Sequence, residues 1–246
     1  MIYVIGAHES IEEQCQRCRD TIKQVLRINN RVNVEIFIHK IDTDMYRAEE
    51  KKIKVMADVK EIVDERDIAS ELGIQTNFAY FLTSIYDHTI YEAISKVVQK
   101  LLPQVKHIAT LMDNLVNASR LDNAFLFDVL SKVYIAKDQQ MDELGLYEIC
   151  AELIDVLIDV TCIYGMEEGG SFKFDKDSSS VIKLEHPEGK EGNVVIYLRE
   201  VEKCLALVCI VKESEFAQKQ LIDYNIDKFK EGLTEIFIAS EKAIQE

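Results

Sequence analysis

Short apolar runs alternate with longer amphipathic ones through the first hundred residues. Residues 2–5 read as a buried strand. Residues 9–28 read as a helix with the apolar seam Ile11, Cys15, Cys18, Ile22 and Val25, spaced four, three, four and three. Residues 34–38 alternate into a second strand, and a charged helix covers 48–72. Residues 78–82 form a third strand, and 91–102 a third helix. This β-α-β-α-β-α order, with connections of a few residues, is the pattern of a parallel sheet covered by helices. Pro103 cannot continue the helix before it and ends the run.

The rhythm then changes. A helix at 105–118 leads into strands at 124–127 and 133–136, joined tightly through 129–131, and a long helix at 144–161 follows. Beyond a loop rich in Gly and Ser lie strands at 181–184, 194–198 and 205–211. A last helix runs from 214 to about 238, with Ile222, Ile226, Phe229, Leu233 and Ile236 on one face. An α-β-β-α-β-β-β-α order with antiparallel hairpins differs in class from the first part. The expectation is an α/β domain over residues 1–102 and an α+β domain over 103–246.

The 246 residues carry a formal net charge of −15 and a sequence pI near 4.8. Phosphate backbones and anionic lipid headgroups repel such a surface, so nucleic-acid binding is not expected. No stretch approaches the ~18 uninterrupted apolar residues of a membrane helix, and the first ten residues have neither a basic leader nor a cleavage pattern. A cytoplasmic protein without direct membrane insertion is the expectation. Cys15 and Cys18 form a C-x-x-C, but both lie on the apolar seam of one helix, and no second C-x-x-C or H-x-x-x-H completes a tetrahedral metal site. They read as reduced core thiols, as do Cys150, Cys162, Cys204 and Cys209 in their apolar segments.

In an open parallel sheet, ligands bind beyond the carboxyl ends of the strands. After the second strand the chain reads Phe37-Ile38-His39-Lys40-Ile41-Asp42, and after the third Leu82-Thr83-Ser84-Ile85-Tyr86-Asp87. These strings resemble the two guanine-reading motifs of small GTPases, N-K-x-D and S-A-K, with His39 replacing Asn as in the Rag family. Four longer strings resemble the C/D branch of that family. They are T-S-I-Y-D-H-T-I-Y-E-A-I-S-K-V-V-Q-K-L at 83–101, A-F-L-F-D-V-L-S-K-V-Y-I-A at 124–136, I-D-V-L-I-D-V-T-C-I-Y-G at 154–165 and L-I-D-Y-N at 221–225.

The resemblance implies a partial small-GTPase sheet of the P-loop type, followed by a roadblock/longin-type dimerisation domain. It implies that Asp42 accepts from the two N–H edges of guanine, that the stem of Lys40 lies along the base, and that the backbone N–H near Ser84–Ile85 donates to the guanine carbonyl. His39 completes that base-reading loop. It further implies a heterodimer with an A/B-type Rag GTPase that binds GTP or GDP with Mg²⁺ and relays amino-acid sufficiency to the TOR kinase complex. A Ragulator- or EGO-type scaffold would recruit the pair to the lysosomal or vacuolar surface. No C-terminal prenylation motif is present, in keeping with recruitment by protein.

One departure is large. No G-x-x-x-x-G-K-[ST] phosphate loop and no D-x-x-G switch occurs in the sequence. Base contacts without phosphate contacts leave most of the binding energy missing, so no cofactor is firmly expected for this chain alone, and no GTP hydrolysis. Two readings stay open: an incomplete chain of a GTP-binding switch, and a non-catalytic heterodimerisation protein. The long helix bears on the second. Glu148, Glu152, Asp155 and Asp159 form one narrow polar stripe, with Leu146, Ile149, Leu153, Val156 and Val160 on one flank and Tyr147, Cys150, Ile154 and Leu157 on the other. Two apolar flanks ask for two surfaces, either a partner subunit or the first domain. By resemblance the first flank, together with Val181 and Leu184 at a strand edge, forms the dimer interface.

Overall fold

The computed structural model describes residues 1–8, 10–87, 89–138, 146–164, 178–184, 192–202 and 204–245. Three strands, β1 (Ile2–Gly6), β2 (Val34–His39) and β3 (Phe78–Thr83), run parallel in that spatial order. Their pairing is in register from Ile2↔Glu35 to Gly6↔His39 and from Val34↔Phe78 to His39↔Thr83. Partnered residues share a face, so one face carries Ile5, Ile36, Ile38, Tyr80 and Leu82. Helices α1 (Ile11–Ile28), α2 (Glu49–Val63) and α3 (Glu65–Leu72) cover it. The opposite face carries Phe37 and Phe81, whose rings meet edge-on at 5.4 Å, under Ala93 and Val97 of α4 (Thr89–Leu101).

Cys15 and Cys18 are fully buried on the inner face of α1, where the seam ends on Leu26 rather than Val25. The single charged helix expected over 48–72 is two helices. Asp64 takes a left-handed conformation (φ 41°), which short polar residues tolerate better than most. Its N–H closes α2 on the Lys60 carbonyl, and its carboxylate accepts from the N–H of Asp67 at 3.2 Å to open α3. Ion pairs Arg19–Asp67 and Lys23–Glu71 then hold α3 against α1. Among the described residues, β1 pairs only with β2, and Ile2 and Val4 are half exposed.

Beyond α4 come α5 (Val105–Ser119), β4 (Asn123–Asp128), β5 (Val133–Lys137), α6 (Leu146–Tyr164), β6 (Ser179–Leu184), β7 (Val194–Glu202), β8 (Leu205–Lys212), α7 (Glu213–Phe216) and α8 (Lys219–Gln245). The strands form an antiparallel sheet in the order β5-β4-β8-β7-β6. The last helix is thus split, with the short α7 turn before α8. One sheet face packs against Ile108, Met112 and Val116 of α5 and Ile222, Ile226, Phe229 and Leu233 of α8. A Cβ on Gly232 would sit 3.1 Å from Leu111, so this glycine allows α5 and α8 to approach closely. The other face, lined by Phe125, Phe127, Ile196 and Val208, is covered by Cys150, Leu153 and Ile154 of α6. Tyr147 of α6 stacks on Phe127 at 5.7 Å and donates to the Lys132 carbonyl.

The chain divides into two compact units, Met1–Val97 and Val98–Glu246. The division falls inside α4, a few residues before Pro103, and Gln99 donates to the Tyr134 carbonyl within the second unit. Among the described residues, no helix is long and apolar enough to cross a membrane.

Phe229 is 2% exposed at the centre of the α5–α8–sheet core. Phe229→Ala should destabilise the protein by about 3–5 kcal/mol, read as a lower urea midpoint with little change in slope.

Candidate functional site

The register of β2 and β3 brings the two loops beyond their carboxyl ends together. Thr83 and Ser84 are fully buried, while Asp42, Ile85 and Tyr86 face solvent. Ser84 Oγ donates to Asp42 Oδ1 at 2.6 Å, a short charge-assisted bond that ties the loops across 42 positions of sequence. That bond holds the Asp42 carboxyl below the usual carboxylate range. Its own backbone N–H and the nearby His39 and Lys40 act in the same direction, against partial desolvation. Asp42 is therefore an ionised acceptor with one oxygen fixed from behind.

His39 and Lys40 shape the first loop. His39 Nδ1 lies 3.1 Å from Thr83 Oγ1, which links the imidazole to the neighbouring strand. Lys40 takes a left-handed conformation (φ 67°), turning the chain out of β2 toward Asp42. Just beyond, Tyr46 is buried and donates to the Ala7 carbonyl at 2.6 Å, while the Ala7 N–H donates to the His39 carbonyl at 2.9 Å. The end of β1 is thereby fastened to both sides of the loop.

In the second loop the backbone donors are divided up. The Ser84 N–H donates to Thr89 Oγ1 at 2.7 Å, and the Tyr86 N–H donates to Ser84 Oγ at 3.1 Å. Between them the Ile85 N–H has no partner among the described residues. The expectation of a donor near Ser84–Ile85 narrows to that single group. Thr89 donates in turn to Asp87 Oδ1 at 2.6 Å, and the Asp87 carboxylate also accepts the Thr89 N–H. Sequence reasoning passed over Asp87 and Thr89 as members of the turn. The signal was available: D-x-T immediately before a helix is a helix-start pattern.

A second surface is apolar. On α6, Ile149, Val156, Val160 and Ile163 are 41%, 55%, 48% and 69% exposed. Leu153, grouped with them from its spacing, does not share that face; it is 3% exposed and packs on the sheet with Cys150 and Ile154. The side chain of Leu146 lies outside the described residues. Among the described residues, β6 is an edge strand paired only with β7. Register opposite Tyr197 puts Val181 on the α5–α8 side of the sheet, and register opposite Val194 puts Leu184 on the α6 side. Val181 and α6 are thus on opposite faces. Among the described residues, no cluster of three or more His, Cys, Asp or Glu could hold a metal ion.

A family model described as the Gtr1/RagA G protein conserved region matches residues 1–154. Over 238 residues the chain is 42% identical to the Ras-related GTP-binding protein C of Homo sapiens, covering 96% of this chain and 57% of that protein. It is 35% identical over 242 residues to the GTP-binding protein gtr2 of Schizosaccharomyces pombe, covering 96% of this chain and 74% of that one. The chain spans about half the length of the mammalian relatives it matches. A Roadblock/LC7 domain from Streptomyces avermitilis aligns with a TM-score of 0.38 at 13% identity, covering 53% of this chain and 97% of that one.

Removing the Ser84 hydroxyl should raise the Asp42 carboxyl toward its ordinary value, because the largest influence lowering it is lost. A carboxyl lowered in the folded state contributes stability that is present above the ordinary carboxylate range and lost as pH falls through it. Ser84→Ala should therefore move the Asp42 titration to higher pH, measured by carboxyl ¹³C NMR. An unmoved titration would show that the Ser84–Asp42 bond is not formed in solution.

Proposed function

The chain belongs to the Gtr1/RagA family of G proteins, and on that premise we propose that its first unit reads the guanine base of GTP and GDP. The observation that carries this reading is the Ser84–Asp42 pair at the ends of adjacent parallel strands. Guanine presents two N–H donors on one edge and a carbonyl next to them. Asp42, ionised and steered by Ser84, accepts from the donors. The Ile85 N–H, left over between two engaged neighbours, donates to the carbonyl, and the Lys40 stem covers the ring. Adenine offers no such pattern. His39 acts from behind, through Thr83, to hold the loop in place.

These residues supply the base half of a nucleotide site. Phosphates and Mg²⁺ call for a phosphate loop, a string absent from the 246 residues. The chain alone therefore binds nucleotide weakly at best and does not hydrolyse it. When joined to a phosphate-binding half, Asp42→Ala should erase most of the preference for GTP over ATP, a loss of up to ~10⁴-fold. Competition titration checks this, and unchanged discrimination would refute the base-reading assignment.

The second unit acts as a roadblock-type pairing domain in this proposal, joining an A/B-type Rag subunit through the exposed face of α6 and the β6 side of the sheet. Support comes from the apolar ridge Ile149, Val156, Val160 and Ile163, which its own sheet does not use. Such a heterodimer, docked on a Ragulator- or EGO-type scaffold at the lysosome or vacuole, would relay amino-acid sufficiency to the TOR kinase complex. The missing phosphate loop equally favours a second reading, in which the chain pairs with its partner and scaffold without using nucleotide. Val156→Asp with Val160→Asp would place two unpaired charges in the interface, each costing several kcal/mol. Co-purification with an A/B-type Rag should fall by more than about a hundred-fold, while circular dichroism stays unchanged because both side chains lie outside the core. Retained pairing would exclude this face.

A further inference from the structure

Resting on the base-reading site proposed above, we infer that Tyr86 stacks on the flat face of the bound base. It supplies affinity that any purine can use, while Asp42 and the Ile85 N–H supply the choice of guanine. Tyr86 is 77% exposed, more than any other aromatic side chain among the described residues. A lone exposed tyrosine needs no explanation by itself. What sets this one apart is the contrast between its backbone and its side chain.

The backbone is tied down on both flanks. The Tyr86 N–H donates to Ser84 Oγ at 3.1 Å, and the same hydroxyl donates to Asp42 Oδ1 at 2.6 Å. One oxygen therefore joins the root of Tyr86 to the carboxylate that accepts from the base. On the far side, Asp87 Oδ1 accepts the Thr89 hydroxyl at 2.6 Å and the Thr89 N–H at 3.2 Å. The side chain is the opposite case. Among the described residues, the phenol makes no hydrogen bond and the ring meets no other ring or cation. A tyrosine has only two side-chain torsions to order. With its backbone already fixed, little freedom is lost when a ligand covers the ring.

A guanine base offers one hydrogen-bonding edge and two flat faces. Asp42 and the Ile85 N–H engage the edge. Lys40 reaches the base from the first loop and Tyr86 from the second, so the ring system lies between a side chain of each. An aromatic ring accepts every base, because each has a π-face, and one such stack contributes roughly five- to a hundred-fold in affinity. Hydrogen bonds at the edge instead penalise a base that leaves them unpaired. Affinity and selectivity are thus carried by different residues of one short turn, and each can be removed without the other.

NMR titration of the whole chain with guanosine 5′-monophosphate tests this without a phosphate-binding half. The Tyr86 ring protons should move upfield, the signature of one ring lying over another. Tyr86→Ala keeps the backbone bond to Ser84 and should weaken binding about ten-fold. Tyr86→Phe should bind like the unaltered chain, because the face of the ring and not its hydroxyl makes the contact. Inosine 5′-monophosphate, which lacks one of the two N–H donors, separates the roles. Asp42→Ala should narrow the preference for the guanosine nucleotide over it, and Tyr86→Ala should leave that preference unchanged. Two results overturn the inference and leave the base-reading site standing: a Tyr86→Ala chain that binds as tightly as the unaltered one, and a Tyr86 ring that stays put while the Ile85 N–H shifts. If guanosine 5′-monophosphate moves neither the Ile85 N–H nor the Asp42 carboxyl, the base-reading site itself is refuted, and the role of Tyr86 falls with it.

Discussion

The first unit depends on the in-register parallel pairing of β2 with β3. Because His39 sits opposite Thr83, the residues just beyond each strand emerge at the same height and on the same edge. Asp42 and Ser84 meet for that reason alone. A slip of one position would turn every side chain of one strand over, moving Ile36 and Ile38 out of the helix-covered core and Phe37 out of its packing with Phe81. The hydrophobic sorting of the two faces thus fixes the geometry of a polar pair that takes no part in the sorting. The same ladder reaches β1, whose end is fastened to the loop by Tyr46 and by the His39 carbonyl.

The second unit meets a different demand. Its sheet has apolar side chains on both faces, and three helices cover them: α5 and α8 on one side, α6 on the other. α6 has a broader apolar surface than its sheet uses. Its inner side carries Cys150, Leu153 and Ile154, and its outer side mixes aliphatic residues with carboxylates. Tyr147, stacked on Phe127 and bonded to the Lys132 carbonyl, fixes the rotation of the helix and so decides which side faces out.

Much of this was legible in the sequence, and the exceptions have physical causes. Each strand and most helices follow from apolar periodicity, since burial dictates the period. The break at Asp64 was not visible, because an Asp is tolerated both inside a charged helix and in the left-handed turn that ends one. Only the pull of Arg19 and Lys23 on Asp67 and Glu71 accompanies the second choice. Leu153 and Val156 are three apart and looked alike on paper. That small difference in angle carries one under the sheet and the other into solvent. At the site, residue types gave away Asp42 and Ser84. The part played by Ile85 could not be read from its side chain, since it rests on which backbone donors the neighbouring hydroxyls of Ser84 and Thr89 have already taken.

Burial of the thiols has a bearing on how this protein meets electrophiles. Desolvation pushes Cys15 up to about 11 and Cys18 up to about 12 and raises Cys209 as well. The thiolate is the reactive species, and at neutral pH a thiol at about 11 holds only ~1 molecule in 10⁴ in that form. These three positions are shielded twice, by sterics and by ionisation. A cysteine introduced on the open ridge of α6 would outrun all three toward a maleimide by orders of magnitude, which makes α6 a place where a spectroscopic reporter can be attached with little competition from them.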